Sequence, residues 1–307
     1  MNIIVFPGQG SQKIGMGKEL SENFVEAKHV FEEVNDAIDF NLTKTMYSNI
    51  ALSIGGSDSG GGAGIQADLR TFMALKVHGC SVITCITAQN SVEVKCVEAV
   101  NEDTLTSQID TLFSDFDIKS LKTGMLLNES IINATALKLK SFSIPKVIDP
   151  VMVSRTGSKL LEDSAINAYK KLLLPIADLV TPNIFEANLL SNLDIKNEED
   201  IQESAKSIIK LGAKAVLIKG GGLKDMKGRD FYLDVNGGKK WFINKFINTQ
   251  NTHGSGCTLS AAICGYQALG FDLIESIRKS KLFIERSLKK SYQIGSGPGP
   301  LGHYQSL

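Results

Sequence analysis

The chain is poor in the residues that mark several protein classes. Its 307 residues include five cysteines, Cys80, Cys85, Cys96, Cys257 and Cys264, and no Cys-x-x-Cys pair. Neither a disulfide framework nor a structural zinc site is expected from so few, unpaired thiols. The four histidines, His29, His78, His253 and His303, are scattered, without a His-Glu-x-x-His, which sets aside a zinc hydrolase. No apolar run reaches the roughly 18 residues of a membrane span. The opening MNIIVFPGQG has neither the basic nor the apolar region of a secretory signal. An excess of one charge sign is also missing. The 33 Lys+Arg balance 33 Asp+Glu, which removes the broad electrostatic argument for nucleic acid or an anionic membrane as a partner. There is no Gly-x4-Gly-Lys-Ser/Thr, so a P-loop is excluded. What is present is a hydrophobic content of 43%, enough for a sizeable core. These features predict a soluble cytoplasmic globular protein.

Two regions differ in pattern. Residues 1–48 offer a short apolar stretch at Ile3–Phe6, a turn with Gly8, Gly10, Gly15 and Gly17, and an acidic helical segment from Glu19 to Ile38. Residues 49–307 alternate short apolar strands with helices: strands at Asn49–Ile54, Cys80–Ile86, Ser120–Thr123, Lys146–Ile148, Leu179–Thr181 and Ala215–Ile218, and helices at Gly64–Lys76, Asn101–Phe113, Glu129–Leu139, Glu162–Leu174 and Asp200–Leu211. Asn101 is placed as an N-cap. Such alternation implies an α/β fold with a parallel sheet covered by helices on both faces. A hairpin around Asn236-Gly237-Gly238 and two closing helices, Ser255–Leu269 and Leu273–Tyr292, complete the reading.

Four stretches carry the chemistry. Gly55 to Gly64 holds six glycines in ten residues between a strand and a helix, where backbone N–H groups can approach a ligand closely. In Asn251-Thr252-His253-Gly254-Ser255-Gly256-Cys257-Thr258 the small residues open a helix. Gly254, Ser255 and Gly256 would form an anion hole for a phosphoryl group in transfer. The helix N-terminus predicts a lowered pKa for Cys257, whereas Cys264, further along, reads as a small buried apolar residue. Asp149 at a strand end, with Asn183 and Glu186 in Thr181-Pro182-Asn183-Ile184-Phe185-Glu186, offers oxygen ligands suited to Mg2+, although helix capping explains either element alone. Lys219, before three glycines, can neutralise a polyphosphate. A Gly-x-Gly-x-x-Gly spelling at Gly297, Gly299 and Gly302 is interrupted by prolines and followed by no helix, so it carries no nucleotide-binding meaning.

In this order the motifs GSDSGGGAGIQAD, GCSVITCITAQNS, KTGML, VIDPVM, LVTPNIFEA, VLIKGG, NTHGSGCTLSAA and GPGPLGH resemble the hydroxymethylpyrimidine/phosphomethylpyrimidine kinases of thiamine biosynthesis, over the whole of residues 49–307. The resemblance implies a ribokinase-like fold with a central, mostly parallel sheet between helices. It implies ATP and Mg2+ as cofactors and phosphorylation of 4-amino-5-hydroxymethyl-2-methylpyrimidine, then of its monophosphate. Carried across, Gln89 matches the aminopyrimidine-binding side chain, with Gly56, Asp68, Met125 and Val151 lining the same pocket. Cys257 matches the catalytic position in the anion hole, Asp149 and Glu186 the metal site, and Asn183 and Lys219 the ATP phosphate contacts. Ser296 stands where some relatives carry lysine. A homodimer is a further family expectation. A pyridoxal or pyridoxine kinase, or a non-catalytic pyrimidine-binding module, are the alternatives. The first 48 residues, FPGQGSQKIGMGKEL above all, resemble the opening of malonyl-CoA:acyl-carrier-protein transacylases, with Gln12 in the oxyanion-hole position. The Gly-His-Ser-x-Gly nucleophile elbow of that family is absent, so no acyl transfer is expected of this extension.

Overall fold

The computed structural model describes residues 17–37, 49–152 and 163–305. The chain divides into two compact units, Met1–Asn49 and Ile50–Leu307. The expected strand at Ile3–Phe6, and Gly8, Gly10, Gln12 and Gly15, lie outside the described residues.

In the first unit the single expected helix is two, α1 (Lys18–Asn23) and α2 (Val25–Ala37). Phe24 between them is extended, at φ −131° and ψ 120°. The Asn23 amide donates to the Glu19 carbonyl at 2.8 Å, a side-chain alternative to helical bonding that weakens the helix there. Leu20, Phe24 and Val25 are exposed and no residue of α1 is buried.

The second unit is built on nine strands: β1 (Ile50–Asp58), β2 (His78–Gln89), β3 (Val94–Ala99), β4 (Ile118–Thr123), β5 (Lys146–Ile148), β6 (Leu179–Val180), β7 (Ala215–Lys219), β8 (Arg229–Asp234) and β9 (Lys239–Ile243). They form one sheet in the order β3-β2-β1-β4-β5-β6-β7-β8-β9. β2, β1, β4, β5, β6 and β7 pair in parallel, and the pairs β2–β3, β7–β8 and β8–β9 are antiparallel. Helices α3 (Gly64–Ala74), α4 (Glu102–Asp115), α5 (Glu129–Leu139), α6 (Asp163–Ala168), α7 (Ile184–Ser191), α8 (Glu198–Lys210), α9 (Ser255–Ala268) and α10 (Leu273–Lys289) complete it.

The strands alternate between two cores. Ile50, Leu52, Ile54, Val216 and Ile218 join Leu105, Ile109, Ile132 and Ile208 of helices α4, α5 and α8 on one face. Ala51, Ala215 and Leu217 join Phe72, Ile263 and Ile277 of α3, α9 and α10 on the other. Strands covered on both faces read as unbroken apolar runs, which is why they stood out in the sequence. Asn101 caps α4 as expected, accepting from the Thr104 N–H at 2.8 Å.

Three departures matter. β1 continues through Gly55 and Gly56 to Asp58, held by parallel pairing to Thr87 across a register shift. β3 was not expected; it is an edge strand whose residues are mostly exposed. The expected helix ending at Leu174 widens after α6 into a π-helical turn, Tyr169–Leu173, and then tightens into a 3-10 turn, Leu174–Ile176, which carries Pro175. Because β2 and β4 flank β1 on opposite sides, the strand order reverses there, and the carboxyl ends around it form the crevice where open α/β sheets bind ligands.

Candidate active site

The carboxyl ends of the parallel strands carry Asp58 and Gln89, then Gly124-Met125 after β4, Asp149 after β5, Asn183 after β6, and Lys219 at the end of β7. Helix α9 points its N-terminus at this edge. Its N-cap, Gly254, has φ 79°, a left-handed conformation that favours glycine. A Cβ there would overlap the Gly62 carbonyl oxygen, so the two glycine loops meet backbone to backbone. The first-turn N–H groups of Gly256 and Cys257 have no carbonyl to bond within the helix. A Cβ on Gly256 would lie 3.4 Å from the Lys219 Nζ, which places an ammonium beside those N–H groups. Free N–H donors, a helix dipole and a cation together make an anion site.

Cys257 behaves differently from the expectation. Burial pushes its thiol up to about 11; the charge of Lys122 and the Gly64 N–H pull it down, while Asp68 and Asp149 add to the rise. Desolvation and two carboxylates outweigh the helix N-terminus, so Cys257 is a neutral thiol rather than a thiolate. Cys264 is fully buried, as expected, and burial pushes it up to about 12.

Asp149 is buried with three donors around it. It accepts from Thr181 Oγ1 at 3.1 Å, Lys219 Nζ at 3.1 Å and Ser260 Oγ at 2.9 Å. Asn183 and Glu186 form a reciprocal capping box on α7: the Glu186 N–H donates to Asn183 Oδ1 at 2.9 Å, and the Asn183 N–H donates to Glu186 Oε2 at 2.8 Å. Burial pushes the Glu186 carboxyl up to about 7; Lys219 and the N–H groups of Asn183 and Met152 oppose this, and the charge of Asp149 reinforces it. Among the described residues no group of three or more His, Cys, Asp or Glu side chains is placed to hold a metal ion. Asp149 and Glu186 remain as two carboxylates in each other's field, a donor set that fits Mg2+, which takes one or two carboxylates and keeps its other waters.

On the other side of the crevice a Cβ on Gly56 would lie 2.9 Å from Met125 Cε and 2.8 Å from Cys85 Sγ, so only glycine admits the Met125 side chain there. The Val151 N–H donates to the Asp149 carbonyl at 2.9 Å. Asp68 does not face open space. It is almost fully buried, with Oδ2 accepting from Lys122 Nζ at 2.9 Å and Ser53 Oγ at 2.6 Å. Its Oδ1 has no partner among the described residues. Gln89 is anchored through its backbone, whose N–H donates to Ser59 Oγ and whose carbonyl accepts from it, both at 2.8 Å. Ser296 is exposed.

The structure thus joins Gly254, Ser255, Gly256, Cys257, Lys219, Asp149, Asn183 and Glu186 along one edge, with Gly56 and Met125 in contact nearby. Three further residues were not singled out from sequence. Lys122, a charged residue inside an apolar strand, is fully buried beside Asp68. His253 and Asp58 lie 3.0 Å apart and next to Gln89. An isolated lysine in a buried strand was the one signal available in the sequence.

A family profile described as phosphomethylpyrimidine kinase matches residues 58–302. The chain is 47% identical over 261 residues to the hydroxymethylpyrimidine/phosphomethylpyrimidine kinase of Synechococcus elongatus, covering 84% of this chain and 98% of that protein. It is 45% identical over 258 residues to the Rhizobium meliloti protein of the same name, covering 83% and 97%. Among solved structures it is similar to Bacillus subtilis pyridoxal kinase in an ADP complex, with a TM-score of 0.78 and 38% identity over 83% of this chain and 97% of that one. It is also similar to a phosphomethylpyrimidine kinase from Clostridium difficile, with a TM-score of 0.69 and 40% identity over 77% and 97%.

Proposed function

Because the chain belongs to the phosphomethylpyrimidine kinase family, we propose that it transfers the γ-phosphoryl group of ATP to the hydroxymethyl group of 4-amino-5-hydroxymethyl-2-methylpyrimidine, and then phosphorylates the product to the diphosphate. The observation that carries this reading is the convergence of the α9 N-terminus and Lys219 at the strand edge that also presents Gln89. In each transfer the acceptor oxygen bonds to the γ-phosphorus as the bond to the ADP oxygen breaks, and in the first transfer the hydroxyl proton passes to an oxygen of the transferred phosphoryl group. Phosphoryl transfer passes through a loose transition state and asks mainly for positioning and charge stabilisation. Gly254, Ser255 and Gly256 with Lys219 receive the charge on the moving group. A neutral Cys257 thiol holds the acceptor hydroxyl in line and does not need to ionise it first. Asn183, fixed by its capping box, stands beside the phosphates. Asp149 and Glu186 would hold Mg2+, which would neutralise charge on the phosphate oxygens. Gln89 reads the aminopyrimidine, with Gly56, Met125 and Val151 around the ring and Asp68 supporting the pocket from beneath.

A pyridoxal or pyridoxine kinase is the second reading, favoured by the similarity to the Bacillus subtilis enzyme. A silent binding module would have no use for both an anion hole and a carboxylate pair. The same reading places the protein in the cytoplasm; among the described residues no helix is long and apolar enough to cross a membrane. It also includes a homodimer, supported by Ile86, Val92, Val94 and Val97, which stand exposed on β2, β3 and their connection and would be covered in a partnered edge. The extension 1–48 carries no chemistry in this scheme, and its removal is expected to leave turnover unchanged.

The deciding experiment follows ATP turnover with Mg2+ and the aminopyrimidine alcohol, with pyridoxine in parallel and the mono- and diphosphate counted separately. Both phosphates, formed in preference to pyridoxine phosphate, are the expected result. Faster pyridoxine phosphorylation would transfer the reading to the second candidate.

A further inference from the structure

Gly297, Gly299 and Gly302 spell a Gly-x-Gly-x-x-Gly without the strand and helix of a nucleotide site, yet each sits where two stretches of backbone meet. A Cβ on Gly297 would overlap the Ser91 carbonyl oxygen, one on Gly299 the Tyr292 carbonyl oxygen, and one on Gly302 the Lys290 carbonyl oxygen. The segment is seated where a side chain has no room. Its course is fixed from the end of α10: the Tyr292 N–H donates to the Pro300 carbonyl at 3.3 Å, and the Gly302 N–H to the Ser287 carbonyl at 3.1 Å.

From there the segment touches both sides of the crevice. The Gly297 N–H donates to Ser91 Oγ at 3.1 Å, and Ser91 lies in the turn that follows Gln89. Further along, the Gly299 N–H donates to Asn251 Oδ1 at 2.8 Å. The His253 N–H donates to the Gly299 carbonyl at 3.1 Å, and His253 pairs with Pro300 in a parallel bridge. These residues lead into Gly254. At the far end His303 Nε2 and Thr258 Oγ1 share a hydrogen bond of 2.8 Å, and both residues are buried. Thr258 closes the first turn of α9, its N–H donating to the Gly254 carbonyl at 2.8 Å. Burial and the charge of Arg70 push the His303 imidazole down to about 4, against the pull of the Leu301 carbonyl. The ring is neutral at neutral pH, so this link is a hydrogen bond between uncharged groups.

We propose that residues 297–303 form a positioning strap that holds the turn after Gln89 in fixed register with the first turn of α9, with Asn251, Thr258 and His303 as its positioning residues. Phosphoryl transfer needs the acceptor oxygen and the γ-phosphorus held in line, and a misplacement of about 1 Å can cost on the order of 10²-fold in rate. The acceptor side and the phosphoryl side are carried by different elements. A segment bonded to both limits how far one shifts against the other. The inference rests on the reading of Gln89 as the pyrimidine-binding side chain and of the α9 N-terminus as the anion hole.

The test compares Thr258→Val, which keeps the shape and removes the hydroxyl, with Thr258→Ser, which keeps the hydroxyl, both in the full chain. Thr258→Val is expected to lower kcat about tenfold, the size of one lost hydrogen bond, while the KM values for the aminopyrimidine alcohol and for ATP each change by less than about threefold. Thr258→Ser is expected to restore most of kcat. A wild-type kcat in folded Thr258→Val, with only a lower thermal midpoint, would overturn the positioning role and leave a tail that merely stabilises. A rise in ATP KM alone would overturn it too, because the segment would then serve nucleotide binding and not the register of the two sides. If Thr258→Val fails to fold, the partly exposed Asn251 takes its place: Asn251→Ala is expected to show the same selective loss of kcat, and a wild-type kcat there would overturn the proposal. A wild-type chain that does not phosphorylate the alcohol at all would overturn the functional reading and this inference with it, so the unmodified protein separates the two failures.

Discussion

Two lysine–aspartate pairs act on the Cys257 thiol, and they are built for different purposes. Lys122–Asp68, at 2.9 Å, has 1% of each side chain exposed. Lys219–Asp149, at 3.1 Å, leaves 16% of the lysine side chain open. Both lysines are held above their ordinary pKa: burial works to lower each, and the carboxylate partner wins. The first lysine sits within β4 and has nowhere to turn. The second ends β7 beside the helix N-terminus, where an incoming phosphate can draw its ammonium away from Asp149. On the proposed reading the cation at the strand end meets the phosphates, while the cation within the strand braces the floor. Removing either lysine leaves a buried carboxylate without its cation, but Asp149 keeps the Thr181 and Ser260 hydroxyls as donors whereas Asp68 keeps only Ser53.

The comparison breaks most directly at the group between the pairs. Cys257→Ala is expected to lower kcat by about 10²–10³-fold, the range of one lost preorganised hydrogen-bonding group, with little change in pyrimidine binding. Turnover near wild type would mean that neither pair is arranged around a reacting atom. Lys122→Met is expected to cost about 3–5 kcal/mol of stability, read from urea unfolding, and addition of Asp68→Leu to restore much of it. A single variant as stable as wild type would remove the bracing role. Lys219→Ala should lower kcat by about 10²-fold with a smaller loss of stability than Lys122→Met, because Thr181 and Ser260 still donate to Asp149; a loss as large would make the two pairs equivalent.

The smallest effect concerns Glu186. Its carboxyl is held at about 7 against an ordinary 4.5, so the folded chain binds this proton more tightly than the unfolded one. The stability it contributes is full below about 4.5 and is lost as pH rises through about 7. Thermal midpoints measured without divalent cations should show this slope, and Glu186→Gln should flatten it. Identical pH profiles for the two proteins would show that Glu186 titrates as an ordinary surface carboxylate.

What the sequence discloses follows what is local. β5 and α5 fall on the expected residues because β5 is buried throughout and α5 has a side-chain cap, Asn128 accepting the Ile131 N–H. β3 escaped because its exposed residues leave no buried stripe to read. The proximity of the two glycine loops follows from strand order, and the capping box from the Asn183–Glu186 spacing. The Cys257 thiol departs from the expectation because position at a helix start is visible in sequence while desolvation is not. That depends on Lys122, Asp68 and Asp149, brought in from three other elements. The pairing of Asp68 with Lys122 across 54 residues is likewise a product of the fold.

The meeting of Gly254 with the Gly62 carbonyl also bears on the order in which this protein comes together. All nine strands precede residue 244, yet the crevice closes only when segments about 190 residues apart in sequence touch, and such distant contacts form slowly. During synthesis the sheet can be laid down while the phosphoryl site is still missing its roof. A chain halted before residue 250 would hold all nine strands and Lys219 but not the α9 N-terminus, so the N–H donors beside this lysine arrive with the last fifth of translation.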